Sequence, residues 1–435
     1  MPFSIINIEY QAERQNRPAI INLLMALLCC LTFIGGCREK QPPAPAPQTD
    51  IEPQFWIRVL LLENAKDCTF KTASSFTVTS PQAQIKQARF EQADTPVDIN
   101  ISEGRITIAG WSAAGSEVII SPDAPYIFTL NGDDYRGQIK LIMDSADNSS
   151  LNVVNLVPLE SYLAGVVGAE IPNYWEPEAL DAQAIASRTY CLYIKNRFGG
   201  TRSWDMRKTQ ANQAYHGIKA ESVQIWNAVN KTAGQVLVCG QADGNEGIFP
   251  AYYSSVCGGH TENSKYVFGD SDSNWSGNGP LAGVPCPYCR DVAKPGLLSW
   301  PTVSFDKAEV ANSLLQRYPK LKDLGRIVDL IPAGQSDYGE FSRLTSVRLV
   351  GSTGKSDFLR AEDFRLAIDT TGRKLKSAAF QIADTGDKWA FTSGRGYGHG
   401  VGMCQCGAEA LARQGKTADQ ILFYYYPGSK IVTVY

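Results

Sequence analysis

The chain has 435 residues, 44% of them hydrophobic and 20% charged, the proportions of a folded protein with room for one large core or several smaller ones. Its net charge of −3 at pH 7 leaves no basic surplus to neutralise phosphates, which argues against a nucleic-acid partner. The 19 tyrosines and 8 tryptophans suit a groove that stacks on sugar rings, although core packing uses the same residues.

In chain order, Arg14 and Arg17 precede an apolar run from Ile20 to Ile34, too short for an ordinary membrane span and shaped like the core of a signal peptide. The run ends in Gly35-Gly36-Cys37, which resembles a bacterial lipobox, so residues 1–36 are expected to be a lipoprotein leader and Cys37 the lipid-bearing N-terminus. Residues 37–54 are Pro-rich and polar, an extended tether between a membrane anchor and a folded unit. An exported chain meets oxidising conditions, where cysteines can form disulfides.

Folded sequence begins near Phe55. From 55 to 157 short apolar runs alternate with turns, and Asn131-Gly132 marks a hairpin, so this stretch is expected to be a β-rich lobe. Residues 158–195 predict two helices joined by a turn, the first opening at Pro158. Leu159, Leu163, Val166, Val167 and Glu170 share one face of the first helix. Pro172 forces Ile171 out of helical geometry and puts Glu170 at the helix end. Burial and the negative helix terminus both raise a carboxyl pKa, which a general acid needs, while a helix-end glutamate turned out to water is the other reading.

Residues 158–435 then predict a mixed lobe: helices over ESVQIWNAVNKTAG, FDKAEVANSLLQRY, AEDFRLAI and GAEALARQG, strands between them, and a long loop over 269–300. The expected fold is α+β, with a β-rich N-terminal lobe, a central helical pair carrying the acid, and a mixed C-terminal lobe bordering a cleft.

Three further groupings carry chemistry. Arg188 lies on the line Leu180, Ala184, Arg188, Cys191, and a buried arginine needs a partner: Glu170, a substrate oxygen, or a structural carbonyl. Cys257-x-x-His260 with Cys286-x-x-Cys289 has the spacing of a closed, structural zinc site; a disulfide is the alternative. Glycines alternate around His399 in SGRGYGHGVGMCQCGA, leaving backbone N–H groups open to a ligand, and Cys404-x-Cys406 fits a redox pair, further metal ligands or packing.

Taken together and in order, VPLESYLAGVVGAEIP, ALDAQAIASRTY, Gln213-Ala214-Tyr215, AYYSSVCGGHTE, GRGYGHGVGMCQCGAEALARQG and ILFYYYPGSKI resemble the stage II sporulation protein D family, the SpoIID/LytB domain, over roughly residues 55–435. The resemblance implies a lytic transglycosylase acting on peptidoglycan glycan strands, with Glu170 as catalytic acid/base. Arg188, Tyr253, Ser254 and His399 would position the glycan, and Cys257, His260, Cys286 and Cys289 would hold zinc. It equally admits a non-catalytic enhancer of a cell-wall amidase or a glycan-binding lipoprotein. The family's usual serine and tyrosine are replaced here by Cys404 and Cys406, which opens the ligand set of the zinc to further members.

Overall fold

The computed structural model describes residues 55–435 apart from 82–86, 92, 114, 145–147, 242–243, 270–274 and 276–278. The expected leader at 1–36, the tether at 37–54 and Cys37 lie outside the described residues. Among the described residues no helix is long and apolar enough to cross a membrane. The fold is α+β, in two compact units: residues 62–156, and residues 55–61 with 157–435.

The first unit is built of strands alone among its described residues. Strict alternation sets one face of each strand inward, as in Glu117–Pro122, where Val118, Ile120 and Pro122 are buried. Two antiparallel sheets result. One runs through Asp133–Arg136, Ile127–Leu130, Asp67–Thr72, Ala93–Ser102, Arg105–Ile108 and Trp111–Ser112; the other through Leu151–Pro158, Gln138–Met143, Glu117–Pro122, Phe76–Thr79 and Gln87–Phe90. Their inner faces meet at Phe70 and Phe76, whose ring centroids are 5.1 Å apart. The hairpin expected at Asn131-Gly132 is present, both residues holding positive φ and joining the paired strands 127–130 and 133–136.

The second unit is organised around helices α1 (Leu159–Glu170) and α2 (Pro177–Phe198). Helix α1 opens one residue later than the sequence suggests, with Pro158 outside it in extended geometry. Residues 159–167 are all buried, so α1 is enclosed on every side rather than amphipathic. Gly168 permits this: a Cβ there would sit 2.0 Å from the Ala220 carbonyl oxygen. Helix α3 (Val223–Lys231) is capped by the Ser222 hydroxyl, which accepts the Ile225 N–H. Helices α4 (Ser264–Phe268) and α5 (Pro295–Leu298) are short, and α5 breaks up the stretch expected to be loop over 269–300.

Beyond α5 the chain builds a second apolar core, around Val310, Val347, Phe364, Leu375 and Phe391. It is enclosed by α6 (Lys307–Arg317), α7 (Ala361–Ile368) and two three-stranded antiparallel sheets. The chain then returns, through α8 (Gln405–Arg413) and α9 (Ala418–Tyr425), to the other apolar core of this unit, built around Ile185 of α2, Val256 and Leu411. A capping box formed by Thr417 and Gln420 fixes the start of α9.

Candidate active site and thiol cluster

Glu170 is the last residue of α1. Ile171 is extended (φ −134°, ψ 153°), as a residue before proline must be, so the helix stops there. The glutamate side chain is partly buried, and its Oε1 accepts the Ala214 N–H at 2.8 Å. The Gln405 side chain supplies a second hydrogen bond. Burial raises the Glu170 pKa, and the two amide hydrogen bonds offset part of that rise.

The carboxyl is backed by a buried polar network. Tyr162 Oη donates to Gln213 Oε1 at 3.0 Å, and Gln213 Nε2 donates to the Ser187 carbonyl at 3.1 Å and to Tyr253 Oη at 2.9 Å. Gln183 Nε2 donates to Ser187 Oγ at 3.0 Å, and Gln405 Nε2 to Gln183 Oε1 at 3.4 Å. Tyr253 is close enough to Glu170 for the carboxylate to contribute to holding its phenol protonated, after burial. Each member makes its hydrogen bonds within the network, so the carboxyl sits on a fixed polar surface rather than a mobile one.

Arg188 does not belong to this site. It is fully buried and forks onto Glu160, Nε to Oε1 at 2.9 Å and Nη2 to Oε2 at 2.6 Å. Its Nη1 donates to the Gln235 carbonyl at 3.1 Å. The C-terminal Tyr435 hydroxyl also donates to Glu160. Arg188 therefore ties α1, α2 and the chain end together, and no free donor is left for substrate. Helix phase put the arginine inside correctly, but its partner is an acid ten residues before Glu170.

His399 is also enclosed. Its Nδ1 accepts the Val401 N–H at 3.0 Å, and its ring stands edge-on to Phe268 and Tyr252 at 5.2 and 5.9 Å. Burial lowers its pKa to about 4, so the ring is neutral near pH 7. Ser254 is buried, its Oγ without a hydrogen-bond partner among the described residues.

The metal-ligand expectation needs one correction. His260 stacks on Tyr338 with ring centroids 4.0 Å apart, and its Nδ1 lies 2.7 Å from the Thr261 carbonyl oxygen. It is outside the cluster that the fold assembles. That cluster is Cys257, Cys286, Cys289 and Cys404, all buried, with their Sγ atoms within 4.8 Å of one another. None is in a disulfide. Cys257 and Cys289 Sγ are 3.8 Å apart. Four sulfurs about 2.3 Å from a tetrahedral Zn²⁺ would lie about 3.8 Å from one another, so the residues present fit such an ion. Cys404 joins because Tyr253–Ser254 pairs in parallel with Met403–Cys404, which carries Cys404 beside the Cys257 segment. The sequence signs of it were the Cys-x-Cys spacing and the replacement of the family's usual serine by Cys404.

The family profile described as stage II sporulation protein, SpoIID, matches residues 147–239, which hold α1, α2 and the Gln213 loop. A stage II sporulation protein D of Bacillus subtilis is 30% identical over 297 residues, 64% of this chain and 75% of the relative. The chain belongs to the stage II sporulation protein D family. An uncharacterized protein of Brachyspira hyodysenteriae is 31% identical over 305 residues, 70% of this chain and 74% of its own. An amidase enhancer of Bacillus subtilis is 28% identical over 369 residues, 77% of this chain but 50% of the enhancer.

Proposed function

We propose that this chain is a cell-wall enzyme, a peptidoglycan lytic transglycosylase in which Glu170 is the single acid and base. The observation that carries the reading is the Glu170 carboxyl itself: raised in pKa by burial, fixed by two amides, and set at the end of an enclosed helix. An ordinary glycosidase works with two carboxyl groups. Ring closure needs one, and the hydrogen-bond partners of Glu170 are amides.

The protonated carboxyl gives its proton to the glycosidic oxygen between muramyl and glucosaminyl sugars, and the C1–O bond breaks. The carboxylate then takes the proton of the muramyl C6 hydroxyl, whose oxygen bonds to C1. Glu170 ends protonated, no water is consumed, and the product carries a 1,6-anhydro ring. Tyr253, half-buried beside the carboxyl, faces the glycan, Ser254 is buried beneath it and does not, and His399 braces the Tyr253 backbone and its own loop.

Cys257, Cys286, Cys289 and Cys404 would hold a structural zinc, four thiolates leaving it no open position for substrate. The leader sequence and Cys37 support an extracytoplasmic, lipid-anchored protein.

The test is incubation of the purified chain with purified glycan strands and mass spectrometry of the ends. Wild type should release 1,6-anhydromuramyl products, and Glu170→Gln should release at least about a hundredfold less. No product from wild type, or equal product from the variant, defeats the enzyme reading. Alignment of the amidase enhancer over 77% of this chain favours the second reading, a binding module that activates a cell-wall amidase. On that reading Glu170→Gln would stimulate the amidase as well as wild type does.

A further inference from the structure

Two segments carry both groups packed against the candidate acid and members of the thiol cluster. Tyr253 pairs with Met403 and Ser254 with Cys404 in one parallel ladder. Further along, the Cys257 N–H donates to Cys404 Sγ at 3.2 Å, and the Cys406 N–H to the Ser255 carbonyl at 3.1 Å. Between the two cysteines stands Gln405, the first residue of α8, with Cys404 as the cap before it. Gln405 is buried, and its amide touches the Glu170 carboxyl and Gln183. One planar peptide unit, about 3.8 Å from Cα to Cα, therefore joins the residue that carries a thiol of the cluster to the residue whose side chain holds the acid. On its far side α8 is pinned as well: Gly407 lies so close that a Cβ would stand 2.6 Å from Cys286 Sγ.

We propose that Gln405 is the positioning residue of Glu170, and that the thiol centre, when it holds a metal, acts on the acid by fixing the start of α8 and not only by tying down the loop of residues 257–289. The proposal rests on reading Glu170 as the acid and extends it to the control of that acid. A metal on Cys404 Sγ fixes the rotamer of the cysteine and with it the backbone of Gln405. A cluster without metal leaves α8 held by its apolar packing and hydrogen bonds but frees its first turn, where the amide can leave the carboxyl. The groups that face Glu170 are the Ala214 N–H, the Gln405 amide and the Tyr253 phenol, so loss of the amide removes one of two donors that favour the ionised form.

The decisive experiment uses no substrate. The full chain is labelled with carboxyl-¹³C glutamate, and the Glu170 signal is identified by its loss in Glu170→Gln. Its pH midpoint is then measured with Zn²⁺ bound and after chelation under a reductant. In the zinc-loaded chain Gln405→Ala should raise the midpoint by about one pH unit, the worth of one hydrogen bond to a charged group. Chelation should raise it similarly in wild type and move it no further in Gln405→Ala. An unmoved midpoint in zinc-loaded Gln405→Ala, or the same chelation shift in both proteins, overturns the proposal. Circular dichroism checks that each sample is folded, and if chelation unfolds the chain the zinc-loaded variant decides alone. The pH profile of glycan cleavage should move with the midpoint. A midpoint that behaves as stated in a chain that cuts no glycan would leave the coupling standing and sink only the enzyme reading.

Discussion

Glu170 and Arg188 sit on neighbouring helices with opposite assignments. The Glu170 carboxyl is raised in pKa by burial and held by amides, whereas Arg188 is consumed by a buried pair with Glu160. Removing one partner of such a pair strands a buried charge. Arg188→Met should therefore destabilise the chain by about 3–5 kcal/mol, and Glu160→Leu combined with Arg188→Met should recover much of that. Thermal unfolding measures both, and the KM of folded Arg188→Met for glycan should be unchanged. His399 gives a pH-dependent counterpart. Its folded pKa is lowered to about 4 from an ordinary 6.5, so between those values the unfolded chain binds a proton that the folded chain does not. Stability should fall as pH drops through that window, and His399→Gln should flatten the fall in urea titrations at successive pH values.

Helix α8 is the element on which most of the site converges. Its cap is Cys404, its first residue is Gln405, and its third is Gly407, against Cys286 and Tyr425. A Cβ at residue 407 would stand 1.9 Å from the Tyr425 hydroxyl, so Gly407→Ala must displace either the helix or the thiol it covers. The expected cost is about 1–3 kcal/mol in denaturant unfolding, with weaker zinc retention on dialysis. The ligand set is checked at the same scale. Elemental analysis of freshly purified protein should find about one zinc per chain in wild type and in His260→Ala, and far less in Cys404→Ser. Equal zinc in Cys404→Ser and none in His260→Ala would restore the ligand set read from spacing.

For the whole molecule, the thiol cluster joins segments far apart in sequence, at 257, 286–289 and 404. An ion bound there stabilises the folded chain by its affinity for that state alone. Chelation under a reductant should lower the thermal midpoint, and added Zn²⁺ should restore it, as calorimetry would record. The two apolar cores of the second unit differ in their dependence on the ion. The core around α2, α8 and α9 includes the four thiols, whereas the core around Val310 and Phe391 contains none of them. Hydrogen exchange after chelation should rise first in α8 and α9 and leave α6 and α7 protected.

Local rules made much of this legible in the sequence. Alternation gave the strands of residues 62–156, Asn131-Gly132 gave their hairpin, and Pro172 ended α1 at Glu170, because each depends on a few adjacent residues. Periodicity also put Arg188 inside. What it could not supply was the partner. Glu160 meets Arg188 from 28 residues away, and Ala214 and Gln405 meet Glu170 from 44 and 235 residues away, and no spacing along a chain encodes such meetings. The thiol cluster shows the same division. Two pairs with two-residue gaps pointed to a cluster of ligand-type side chains, but the choice of Cys404 over His260 was made by a two-residue parallel ladder and by a ring stacked on Tyr338. Sequence determined which groups were available; tertiary packing decided which of them share a center, because ligand geometry is fixed by distance in space and not by order along the chain.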